Sequence, residues 1–180
     1  EGISAYGTIM YVNFIFLAVF IGYSTGIAPI TSYHYGAGNK KELDNILKRS
    51  SVIIGIVAIA MCGISEFLAN PLASVFVGYD KELLTMTTHA FRIYGIAFLF
   101  SGISIFGSAF FTALNDGLTS ATIAFLRTLL FQCSSVLIMP IFFGLDGIWF
   151  SIIVAETLSV AVTITFLAIK NKKFGYWGKF

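Results

Sequence analysis

The chain has 180 residues, of which 57% are hydrophobic and only 11% charged, with a formal net charge of +2 and a mean hydropathy of +0.88. A water-facing surface carries about a quarter of its residues as charges, so this composition excludes a soluble globular domain. Eight of the eleven basic residues fall in two short segments rather than over a face, which excludes a nucleic-acid partner.

The first apolar span covers residues 4–33 and exits through YHYGAGNKKELDNILKR. Within it Gly22 and Gly26 form GxxxG, which predicts close approach of a neighbouring helix, and Pro29 predicts a bend near the exit. Gly36 and Gly38 are read as its terminators. Asn13, with Tyr6 and Tyr11 beside it, is a candidate for lining a cavity, where aromatic rings hold a cation by cation–π contacts. Packing against helices or lipid is the alternative for such rings, because 16% of the chain is aromatic.

A second span over residues 51–69 is followed by Asn70, Pro71 and the polar GYDKE, with Glu66 near its end within reach of headgroups or water. The third span, residues 90–114, follows a lead-in where His89 and Arg92 are read as interface anchors, and stops at the turn Asn115, Asp116, Gly117. The fourth, residues 118–143, carries Pro140 as a second bend signal and ends at GLDG. The fifth, residues 147–169, leads into the tail KNKKFGYWGKF over residues 170–180, where Phe174, Tyr176 and Trp177 are read as interface anchors. Each span meets the ~20 residues needed to cross the hydrocarbon as a helix. The predicted fold is therefore all-α: a polytopic membrane helix bundle of five transmembrane helices in a single domain over residues 1–180. Cys62 and Cys133 lie in separate spans with no spacing partner, which argues against a zinc site or a disulfide and for buried, inert thiols.

Alternation of the spans puts connectors one and three and the tail on one side. That side holds Lys40, Lys41, Lys48, Arg49, Lys170, Lys172, Lys173 and Lys179, whereas the other holds Lys81 among Asp80, Glu82 and Asp146. The positive-inside bias makes the tail cytoplasmic and the N-terminus external, in a multi-pass protein of the plasma membrane. A chain starting outside at Glu1 then implies a preceding segment of a longer protein.

Arg127 and Glu156 are each the tenth residue of their spans, counted from opposite sides, so both lie ~14 Å deep. An unpaired charge there costs ~2.5–3.5 kcal/mol or more, so the two are expected to pair or to face a polar cavity. Either Glu156 senses protons as its surroundings change, or the two form a permanent lock between neighbouring helices. Gln132, five residues after Arg127, is placed off its face by α-helical spacing and is read mainly as an interhelical hydrogen-bonding group. The two histidines, His34 and His89, fall on opposite predicted sides, so no catalytic constellation emerges and an enzyme is not expected.

The first span with its exit, EGISAYGTIMYVNFIFLAVFIGYSTGIAPITSYHYGAGNKKEL, resembles the eighth helix and following loop of multidrug and toxic compound extrusion (MATE) transporters. FFTALNDG, AFLRTLLFQ and FGLDGIWFSIIVAETLS resemble the tenth, eleventh and twelfth helices of that family. The resemblance implies the C-terminal six-helix lobe of a twelve-helix transporter, without its first helix. It implies export of organic, often cationic, compounds in exchange for H+ or Na+, by rocking of two lobes about a central cavity. The partners implied are an N-terminal lobe, a small organic substrate and the bilayer; no cofactor is implied beyond the coupling ion. Coupling carboxylates of the family lie in its N-terminal lobe or seventh and tenth helices, and the tenth-helix equivalent AFRIYGIAFLFSGISIFGSAFFTAL contains no Asp or Glu. A lipid-linked oligosaccharide flippase and a structural membrane subunit are the alternatives.

Overall fold

The computed structural model describes residues 2–177, and nearly all of them are helical. Helix α1 spans Gly2–Gly36, α2 Lys40–Val77, α3 Lys81–Gly95 and α4 Phe98–Ala113. Helix α5, Gly117–Phe125, passes through a π-helical turn, Leu126–Phe131, into α6, Gln132–Phe143, and α7 covers Leu145–Phe174. Three starts are set by short acceptor side chains that satisfy otherwise orphaned N–H groups. Asn39 accepts from the Glu42 amide at 3.1 Å, Asp80 from those of Glu82 and Leu83 at 2.9 and 3.2 Å, and Asp116 from that of Thr119 at 3.3 Å.

Four helical rods are long and apolar enough to cross a membrane, and α3 with α4 makes a fifth if that bent pair is one span. The bend is 50°. It falls at Ile96 and Ala97, where the chain tightens into short turns: Ile96 N–H donates to Ile93 O at 3.2 Å and Leu99 N–H to Ile96 O at 3.1 Å. Gly95 rests on α2 there, since a Cβ in its place would stand 2.6 Å from Ser65 Oγ.

Several boundaries differ from the sequence reading. The second span belongs to one helix from Lys40 to Val77, so Lys40, Lys41, Lys48 and Arg49 are helical and Pro71 lies inside the helix. Pro29 and Pro140 are likewise internal to α1 and α6. Helix α7 runs past residue 169 to Phe174 and ends at Gly175, which has a φ of +67°. Phe174 and Tyr176 are not interface anchors: they are 4% and 0% exposed, with Tyr176 edge-on to Phe110 at 5.3 Å. The Tyr176 hydroxyl donates to Leu167 O at 2.8 Å, and this bond folds the tail back onto the bundle. Only Trp177 stays half exposed, while Lys179 and Glu1 lie outside the described residues.

Helix α4 sits at the centre, against α1, α2, α5 and α7. With lipid tails as apolar as leucine, close packing rather than water expulsion must hold such a bundle. Gly102 admits Phe20 and Ile54, whose atoms lie 2.6 and 2.8 Å from where its Cβ would be, and Gly107 admits the Thr163 methyl. The predicted GxxxG contact is absent among the described residues. A Cβ at Gly22 or Gly26 would meet nothing within 4 Å. Around the bundle, Phe14, Ile141 and Phe142 are exposed, which suits an apolar surround. Toward the predicted outer side His89 Nε2 lies 3.3 Å from Asp146 Oδ1 and Arg92 Nε 4.0 Å from Glu66 Oε2, so both supposed anchors face carboxylates.

Candidate functional site: an ion pair beside a mostly apolar groove

The two deep charges meet. Arg127 Nη2 donates to Glu156 Oε1 at 2.7 Å, and Arg127 Nε lies 3.1 Å from both carboxylate oxygens. Glu156 is 4% exposed on the middle of α7, and Tyr94 of α3 is near enough to feel both charges. Two donors of one planar guanidinium on one carboxylate fix orientation as well as charge. In this arrangement each ion offsets the desolvation cost of the other.

Arg127 owes its position to the π turn. The Gln132 amide donates to the Arg127 carbonyl, an i→i+5 bond that inserts one residue into the turn. An α-helix would put residues five apart on different faces, whereas the wider turn draws Gln132 toward the face of Arg127. Gln132 therefore departs from the sequence expectation, which rested on α-helical spacing throughout the span. The missed signal was two polar residues five apart in an otherwise apolar rod.

Two clefts open between α1 and the rod Gly117–Phe143. A groove of about 560 Å³ is lined by Tyr6, Thr128, Leu129, Gln132, Cys133, Val136 and Leu137. A second, of about 210 Å³, is lined by Leu17, Ile21, Ser104, Ser108, Arg127 and Thr128 among others. Thr128 borders both, with Gln132 on the larger cleft and Arg127 on the smaller. Ser104 Oγ, in a residue 1% exposed beside the second cleft, has no hydrogen-bond partner among the described residues.

The other sequence candidates separate. Tyr6 lines the larger groove and stacks on Trp149 at 6.2 Å. Asn13 is 8% exposed and Tyr11 68% exposed, and neither lines these two clefts. Cys133, read as a buried thiol, is exposed on the groove wall, because the π turn rotates the segment after it. Thr128 and Ser104 were not anticipated, since hydroxyls in an apolar helix usually bond only their own backbone. No cluster of three or more His, Cys, Asp or Glu suited to a metal exists among the described residues.

The larger groove is mostly apolar, with a tyrosine, an amide, a hydroxyl and a thiol on its walls.

The architecture has solved and characterised relatives. A multidrug resistance MATE family transporter of the MOP superfamily, in an inward-facing conformation, superposes with a TM-score of 0.86 over 97% of this chain and 40% of its own, at 17% identity. The multidrug export protein MepA of Staphylococcus aureus strain MSSA476 is 25% identical over 141 residues, 78% of this chain. The MepA of Staphylococcus saprophyticus is 27% identical over 147 residues. The chain spans 30% of the length of these curated relatives. The sequence model of the MatE family matches residues 1–138. With the family model matching residues 1–138, well over half of its length, the chain belongs to the MatE family of multidrug and toxic compound extrusion transporters.

Proposed function

We propose that this chain forms the C-terminal lobe of a multidrug efflux antiporter of the plasma membrane, with residue 2 on the outer side and Gly175 on the cytoplasmic side. Its similarity to multidrug export proteins over 78% of the chain carries this reading. The groove between α1 and the π-turned rod supplies the wall of a substrate path, with Tyr6 presenting an aromatic face and Gln132 a hydrogen-bonding amide. Its substrates are organic cations, exchanged for H+ or Na+ as the two lobes rock about a shared cavity. Glu156 is then a fixed partner of Arg127 in this conformation, and its carboxylate becomes available to a proton or cation only when the pair opens.

Ethidium efflux from vesicles carrying the full-length parent, under separately imposed proton and sodium gradients, tests this. Gradient-dependent efflux from well-folded protein is the expected result, and the effective gradient names the ion. Glu156→Gln that keeps efflux but loses its dependence on the gradient assigns coupling to this pair; loss of folded protein alone assigns it to architecture. A correctly inserted parent that moves no cation under either gradient overturns the antiporter reading.

A further inference from the structure

At the end of the bundle where α1 stops, α2 begins and α7 closes, a cavity of about 160 Å³ is lined by Tyr35, Gly38, Lys40, Leu43, Lys173 and Phe174. We propose that this cavity binds the phosphate of an anionic lipid headgroup. The crevice proposed for substrate takes no part, so this inference stands independently of the transport reading.

Two features of its construction point to an anion. Lys40 and Lys173 come from helices more than 130 residues apart in sequence and face one small cavity. The ion pairs at this end of the bundle are Lys48–Asp44 and Lys170–Asp116, and neither Lys40 nor Lys173 is among the described pairs. Glu42, the acidic residue nearest Lys40, accepts instead from Asn45 at 3.1 Å. Two like charges lining one cavity without a described counter-charge repel, and a phosphate between them removes that repulsion.

The walls favour a lipid over a free ion. Lys173 Nζ lies 4.9 Å from the centre of the Phe174 ring, and Tyr35 is edge-on to the same ring at 5.7 Å. A phosphate lodged here would have its ester substituent beside Tyr35, Leu43 and Phe174, an apolar lining that suits a lipid. Two residues with positive φ shape this end, Gly38 at +68° in the lining and Gly175 at +67° beside Lys40. A Cβ at Gly175 would stand 2.9 Å from Lys40 Cδ, so glycine there is what lets the Lys40 stem lie across the end of α7. Basic pockets between helices on the cytoplasmic side are a recurrent way for membrane proteins to hold anionic headgroups.

The test counts lipid bound to the full-length parent, taken from bilayers of equal phosphatidylglycerol and phosphatidylcholine, by native mass spectrometry. The wild type is expected to retain phosphatidylglycerol preferentially. Lys40→Gln with Lys173→Gln should cut that preference by about tenfold or more, at ~1 kcal/mol for each basic residue. Lys41→Gln with Lys172→Gln removes the same charge outside the cavity and should leave the preference in place. Lys40→Arg with Lys173→Arg keeps the charge and should retain it. Equal losses in the two Gln pairs would mean diffuse surface attraction and would overturn the proposal, as would loss in the Arg pair. Inorganic phosphate, titrated into lipid-free protein in a neutral detergent, provides the remaining arm. Saturable phosphate binding that depends on Lys40 and Lys173, without lipid retention, would assign the cavity to the free ion and sink the headgroup reading.

Discussion

Lys170 Nζ lies 3.1 Å from Asp116 Oδ2, so the carboxylate that caps α5 also ties down the far end of α7. Thr119 adds its hydroxyl to the same oxygen at 2.9 Å. Burial alone would raise the Asp116 pKa, but the hydrogen bonds from Thr119 and Lys170 and the Lys170 charge outweigh it and hold the carboxyl below its ordinary range. The same carboxylate, with burial as the larger cause, pushes the Tyr176 phenol above its usual value.

A depressed carboxylate stabilises the fold above its unfolded pKa, about 3.9, and that stability disappears as pH falls through the lower folded value. The thermal midpoint of the purified protein should therefore fall on acidification below about pH 4. Asp116→Asn should lose about 1 kcal/mol at neutral pH, from the lost ion pair with Lys170 while the cap is kept, and show a flatter acid limb. An unchanged acid limb in that variant would remove Asp116 from the account.

Arg127 and Glu156 should couple strongly. Removing either partner strands a buried charge, so Arg127→Gln and Glu156→Gln should each destabilise by about 3 kcal/mol. The double variant should recover part of that loss, giving a coupling of about 1–3 kcal/mol in a thermal or denaturant cycle. Additive losses would show that the pair contributes little in the membrane.

Glycines on the two sides of the bundle should respond in opposite ways. Gly102→Ala and Gly107→Ala force Phe20, Ile54 or Thr163 to move and should cost about 1–3 kcal/mol each. Gly22→Ala, with open space around it, should be neutral or stabilising by up to about 1 kcal/mol through helix propensity. Melting curves of the three variants in one detergent make the comparison.

Cys133 offers a direct probe of the groove. It is exposed on the wall opposite Tyr6, while Cys62 is half buried elsewhere. A small maleimide should modify Cys133 first, and ethidium should slow that reaction but leave Cys62 unaffected. Equal protection of both thiols would indicate a global effect rather than occupancy of the groove.

The spans and the depth of the two charges were legible because apolar length and distance from a span end follow directly from helix rise. Depth alone put Arg127 and Glu156 at one level, and the structure joins them. The first half of the third span was obscured because Lys81–Gly95 mixes polar residues with a buried face of Leu83, Ala90, Phe91 and Tyr94, which hydropathy averages into a lead-in. The tail misled for another reason: Phe174 and Tyr176 have the composition of an interface belt, and only the αL turn at Gly175 sends them inward. GxxxG finds no close neighbour among the described residues, since spacing describes one helix and close approach requires a second.

The one extra residue in the turn Leu126–Phe131 divides the rod Gly117–Phe143 into two segments that keep separate helical phase. A single wheel drawn through all of it would misassign one half, by about 100° for one residue. Substitution tolerance along this rod should therefore follow one periodicity up to Phe125 and a second, offset periodicity from Gln132 onward. The offset brings Gln132 round toward the face from which Arg127 reaches Glu156 on α7, where an unbroken α-helix would hold the two about 140° apart.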